Sequence, residues 1–147
     1  MKEIIEAIAN KQKLLGGCLL HPPATLNEIA EFESQLGFEL PPDFVEFYSI
    51  CNGFECTDDI FTMIPLQNLL RHKNDFGKNW LHFAEYMIYS DMWSLKKLTD
   101  NQYLIINRGE NEISLTSSLR EFLQRFLQGG VFEKGGLYDW HEEIKLT

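Results

Sequence analysis

The chain has 147 residues, of which 44% are apolar and 13% aromatic. That length suits one domain, 1–147, and the apolar share is enough for a core, so intrinsic disorder is excluded. Thirteen Lys and Arg stand against 22 Asp and Glu, and the net charge of −9 argues against nucleic acid or an anionic membrane as partner.

Residues 2–14 read as an opening helix, with Ile4, Ile5, Ile8 and Leu15 on one side. Glu3 and Glu6 interrupt the apolar run that a secretory signal needs. No stretch reaches the roughly 18 apolar residues of a membrane helix. Gly16-Gly17 and Pro22-Pro23 break the helix. Thr25-Leu26-Asn27-Glu28 has capping-box spacing. The helix it opens turns Leu26, Ile29, Phe32 and Leu36 inward, and Gly37 stops it. A third helix begins near Pro42, with Asp43 in its first turn and Phe44, Phe47, Tyr48 and Cys51 on one stripe. Asn52-Gly53 ends it.

The period then changes. Strands are expected at 60–64, 80–84, 88–95, 103–107 and 112–116, the last two as a hairpin. Leu66, Leu69 and Leu70 suggest a helical turn, and 71–79 a polar loop. Ser118-Leu119-Arg120-Glu121 repeats the capping-box spacing before the stripe Leu119, Phe122, Leu123, Phe126 and Leu127. Gly129-Gly130 ends that helix, and the aromatic tail is expected to pack back on the domain. The fold class is α+β: N-terminal helices, a central mostly antiparallel sheet of about four to six strands, and a C-terminal helix.

Catalytic patterns are missing. No phosphate-binding glycine loop, nucleophile elbow or H-E-x-x-H occurs. His21, His72, His82 and His141 have no metal-ligand spacing. His72 with Asp75, or His141 with Glu142 and Glu143, reads better as solvated surface than as a site. His82 is expected to share a strand face with Trp80 and Ala84, half-buried or satisfied by a hydrogen bond. Trp80, Trp93 and Trp140, with Tyr86, Tyr89 and Tyr138, suit a core better than a ligand groove. Basic residues do not cluster with aromatics along the chain. No cofactor or metal is implied, and a non-enzymatic role is expected. Cys18, Cys51 and Cys56 are odd in number and lack a C-x-x-C pair, which fits a reducing cytoplasm rather than a disulfide framework. Cys51 belongs to the helical core stripe, although it could instead pair or share a metal with Cys56.

Residues 21–60 contain nine acids and no Lys or Arg, so they carry the whole net charge. The acids are Glu28, Glu31, Glu33, Glu39, Asp43, Glu46, Glu55, Asp58 and Asp59. Two readings stand: solvated faces with helix-start acids, or an acidic docking surface for a basic partner.

The pattern Glu33-x-x-Leu36-Gly37-x-x-Leu40-Pro41-x-Asp43-Phe44, running on to Asn52-Gly53, resembles the signature of the SUKH superfamily. That superfamily groups a yeast cell-wall-synthesis regulator with many small bacterial proteins. The segment 60–66 resembles its first strand, 80–84 and 91–93 its middle strands and 118–123 its closing helix, so the likeness spans about 25–128. The resemblance implies a binding module, typically an immunity protein that neutralises a toxin, often a nuclease. A constitutive regulatory or scaffold module is the alternative, and an enzyme with a scattered site around His82 or Cys56 is a third reading. Glu33, Leu40, Pro41, Asn52 and Gly53 are then fold-makers, and Glu33 is expected to accept backbone N–H groups near Leu40-Pro41. Glu28, Glu31, Glu46, Glu55, Asp58 and Asp59 remain as partner-contact candidates.

Overall fold

The computed structural model describes residues 1–12, 17–73, 77–88, 90–99, 101–109 and 111–146. The expected features at Leu15, Gly16, Asp75 and Tyr89 lie outside these residues. Among the described residues are six α-helices and one seven-stranded sheet. In chain order they are α1 (Lys2–Gln12), β1 (Cys18–Leu20), α2 (Leu26–Leu36), α3 (Pro42–Ile50), β2 (Phe54–Cys56), β3 (Phe61–Met63) and α4 (Leu66–Leu69). They continue as β4 (Trp80–Tyr86), β5 (Asp91–Thr99), β6 (Gln102–Arg108), β7 (Glu112–Thr116), α5 (Leu119–Gly129) and α6 (Leu137–Lys145). Strands neighbour one another in chain order and every pair is antiparallel, so the sheet is a meander. The α+β class holds, with more strands than expected.

The core lies between one sheet face and helices α1, α3 and α5. Phe126 of α5 stacks on Phe61 at 4.2 Å, and Phe122 meets Phe83 and Trp93 at 5.3 and 6.0 Å. Phe44 of α3 stands edge-on to Phe83 and Tyr103 at 5.0 and 5.5 Å. Ile4, Ile5 and Ile8 of α1 are buried as their periodicity implied. Burying each large apolar side chain contributes about 1.5–3 kcal/mol, and edge-to-face geometry adds about 0.5–1.5 kcal/mol per pair.

The capping box of α2 forms in both halves. Glu28 N–H donates to Thr25 Oγ1 at 3.1 Å, and Thr25 N–H to Glu28 Oε1 at 3.0 Å. Only half of the second box forms. Glu121 N–H reaches Ser118 Oγ, but the Ser118 N–H goes to Thr116 Oγ1 instead.

Several expectations are corrected. Leu26 is 72% exposed; Ala24 takes the buried place at the entry to α2, its N–H bonded to the Tyr48 carbonyl. Strands β1 and β2 went unforeseen, because three residues are too few to show an alternation. Ile88 lies in a turn rather than in β5, since Tyr86 pairs with Asp91 and leaves the residues between them outside the ladder. Ile60 likewise falls outside β3. The tail does pack back, and it does so as helix α6 with Leu137 and Trp140 buried.

Candidate functional site

The signature residues make the turns that join α2, α3 and α4. Gly37 ends α2 at φ +96°, its N–H bonded to the Glu33 carbonyl. The reversed chain then brings Leu40 N–H to Glu33 Oε2 at 2.6 Å, the role expected of Glu33. The Pro41 carbonyl accepts Phe44 and Val45 N–H groups at 3.0 and 3.1 Å, which starts α3. Asn52 Oδ1 accepts the Leu66 N–H at 2.8 Å, and its Nδ2 donates to Gln67 Oε1 at 3.0 Å. Asn52 therefore holds the start of α4. Gly53 has φ +86°, and a Cβ there would lie 2.3 Å from the Met63 carbonyl oxygen.

Asp43 does more than suit a helix dipole. Its Oδ2 accepts the Tyr103 hydroxyl and the Leu119 N–H, so one carboxylate ties α3 to β6 and to the first residue of α5. Burial, then the bond to Asp43, pushes the Tyr103 phenol far above its ordinary range. Nothing local in the sequence signals these contacts, which span 60 and 76 residues of chain.

A groove of about 310 Å³ runs between α2 and α4. Glu28, Glu31 and Gln35 line it from α2, and Leu66, Gln67 and Leu70 from the α4 side. Asn52 fixes Leu66 and Gln67, so a signature residue shapes one wall. The other acids sit on other elements. Glu46 is on α3, 3.7 Å from the Met1 amine. Glu55 on β2 lies 3.8 Å from His21 Nε2. Asp58 is exposed in the β2–β3 turn. Asp59 accepts the Val131 N–H at 3.3 Å, which gives it a structural tie as well. Of these candidates, Glu28 and Glu31 share one groove.

A second surface was invisible in the sequence. Ile60, Met87, Ile88 and Phe132 are 50%, 48%, 80% and 59% exposed. Their three loops meet at one end of the sheet. Met87 N–H bonds the Ile60 carbonyl at 2.9 Å, and the Phe132 ring meets Tyr86 at 5.0 Å. Asp58 and Glu133, both exposed, stand in two of these loops. Ile60, Met87 and Ile88 have φ of +50°, +51° and +47°. That region is an outlier for a β-branched residue, and each case costs on the order of 1–3 kcal/mol. The aberrant φ values, and not any hydrophobic period, mark the surface.

The sequence profile of the SMI1/KNR4 family (SUKH-1) matches residues 23–125. The chain belongs to this family. No curated protein matches it. The match covers the signature turns, the groove and strands β2 to β7.

Several other polar groups of this SUKH-1 domain are engaged, while Glu85 Oε2 is buried without a hydrogen bond among the described residues. His141 is buried and accepts Trp93 Nε1–H at 3.1 Å, and burial lowers its pKa to about 4. The expectation of solvated surface fails for His141 but holds for Glu142 and Glu143, which are exposed and pair with Lys145 and Arg125. His82 is fully buried against the Ser94 hydroxyl. A bulge between His82 and Ala84 shifts the register, and Ala84 pairs with Trp93 instead of continuing the His82 face. Trp93 and Trp140 are core, as expected. Basic side chains do meet aromatics in space: Lys96 and Arg108 lie over Trp80 at 5.1 and 4.6 Å, and Arg125 over Trp140 at 5.0 Å. Cys51 is buried and pushed up to about 12 by that burial, while Cys56 neighbours Cys18 rather than Cys51. No helix of the described residues is long and apolar enough to cross a membrane.

Proposed function

We propose that this SUKH-1 domain is a non-enzymatic, cytoplasmic immunity protein that binds and neutralises a cognate toxin domain. A nuclease is the toxin class that suits its charge. The observation that supports binding is the three-loop surface, where four large apolar side chains stand exposed beside Asp58 and Glu133. Contiguous exposed apolar residues with a charged border are typical of protein interfaces. The acidity of residues 21–60 supports the choice of partner, because an enzyme that grips phosphates carries a basic cleft. Glu28 and Glu31 on the α2–α4 groove add to the field that steers such a partner.

The test is co-expression with the toxin domain encoded beside this gene. Restored growth and a stoichiometric complex are expected. Growth arrest undiminished by the protein, with no complex on gel filtration, would overturn the reading. A stable endogenous partner with no toxin domain would favour the regulatory-module alternative.

A further inference from the structure

Cys18 and Cys56 are far apart in sequence and adjacent in space. Cys18 on β1 stands directly opposite Cys56 on β2. The Cys56 thiol donates to Cys18 Sγ at 3.0 Å. Backbone bonds flank them, from His21 N–H to Gly53 on one side and from Thr57 N–H to Gly17 on the other. Hydrogen-bonded and non-hydrogen-bonded pairs alternate along an antiparallel ladder. Counting inward from both flanking bonds makes Cys18–Cys56 a non-hydrogen-bonded pair. Such pairs bring Cα atoms to about 4.5 Å, inside the window of about 4.4–6.8 Å that a disulfide spans.

We propose that Cys18 and Cys56 form a reversible two-electron redox site, converted from dithiol to intramolecular disulfide by exchange with glutathione disulfide. The Cys18 thiolate attacks one sulfur of the oxidant, whose S–S bond breaks to release one glutathione. The Cys56 sulfur then attacks Cys18 Sγ, forming the Cys18–Cys56 bond and releasing the second glutathione. The two hydrogens lost by the protein thiols end on the two glutathione thiols. The oxidant gains the two electrons that the protein loses.

The environment assigns the order of attack. Cys18 is half-buried on an edge strand, and the bond it receives from Cys56 holds its thiol below the ordinary range. Cys56 is buried and pushed up, first by donating that bond and then by burial. Nucleophilic thiols are those with thiolate character and access, which makes Cys18 the entering sulfur and Cys56 the resolving one. The bond closes a loop around α2 and α3, the helices that carry most of the signature, and fastens β1 to the sheet.

The test is equilibration of the intact protein with glutathione redox buffers, followed by acid quenching and cleavage after glutamate. Glu6, Glu28, Glu46, Glu55 and Glu85 then place the three cysteines on separate peptides. A Cys18–Cys56 peptide that grows with glutathione disulfide and vanishes with dithiothreitol is expected, together with a higher melting temperature for the oxidised form. Cys51→Ser should leave the bond unchanged, while Cys18→Ser and Cys56→Ser should each abolish it. The folded protein should also form the bond at least tenfold faster than urea-unfolded chain. Equal rates in the two states, a predominant bond to Cys51, or glutathionylation of Cys18 that never resolves would each overturn the proposal.

Discussion

The Glu33 carboxylate accepts the Leu40 N–H at 2.6 Å across the turn that Gly37 opens. A side chain on the last turns of α2 thus closes the loop into α3. Charge-assisted bonds to a backbone N–H are about twice as strong as neutral ones, and an orphaned partner costs about 1–3 kcal/mol. Glu33→Ala should therefore lower stability by about 2 kcal/mol, and Glu33→Gln, which keeps an acceptor, by less. Denaturant midpoints of the two variants check this; equal losses would mean that the charge contributes nothing.

Two glycines in the signature region have different reasons to be glycine. Gly37 and Gly53 both have positive φ, but a Cβ on Gly37 meets nothing within 4 Å. Gly37→Ala should cost only the backbone strain, about 1 kcal/mol. Gly53→Ala forces a Cβ against the Met63 carbonyl and the Pro65 nitrogen. Its loss should exceed about 3 kcal/mol, within the range of overpacking added to strain. Thermal melts of the pair decide whether backbone approach, rather than φ alone, fixes Gly53.

Much of this was legible in local pattern, and the rest was not for identifiable reasons. The α2 cap, the Phe44–Phe47–Tyr48 stripe and the Leu119–Phe126 stripe are short-range signals that survive folding. Strands of three residues carry no period, so β1 and β2 emerged only from their pairing. Glu33 was placed correctly because its partner lies seven residues away. Asp43 lies in the first turn of α3 as expected, but its bonds to Tyr103 and Leu119 were not legible, because those partners come from the other half of the chain. The same distance hid the Cys18–Cys56 pair and the apolar surface, both made by chain segments that meet only in the folded sheet.

His141 makes the fold sensitive to acid. Burial lowers its pKa from 6.5 to about 4, so the unfolded chain takes up a proton first as the pH falls. Above about 6.5 the imidazole is neutral in both states and costs nothing. Between about 6.5 and 4 stability declines, and below 4 the loss is complete, on the order of 2 kcal/mol. Urea titrations between pH 7.5 and 4.5 should show this slope in the native protein. His141→Gln should flatten it; an unchanged slope would assign the acid sensitivity to carboxylates.

Charge on the groove should act on encounter rather than on stability. Glu28→Gln keeps a capping acceptor for Thr25, and Glu31→Gln alters only an exposed side chain. Combined with Asp58→Asn, these changes should slow association with a basic partner several-fold and flatten its salt dependence. The melting temperature should barely move. Stopped-flow association at two ionic strengths measures both effects, and unchanged kinetics would place the contact elsewhere.

The three-loop surface predicts a trade between stability and binding. Ile60 and Ile88 hold left-handed backbone that asparagine adopts far more readily. Both side chains are exposed, so little packing is lost on replacing them. Ile88→Asn should therefore raise stability by about 0.5–1 kcal/mol by relieving strain. If the apolar tip is a binding anchor, the same change should weaken the proposed toxin complex at least tenfold, since a few buried anchors dominate interface energy. Ile60→Asn should behave alike, and the double variant should be both the most stable and the weakest binder. Calorimetric melting and titration of the same samples settle the point. Gains in stability with no loss of affinity would leave the strained isoleucines without a role in binding.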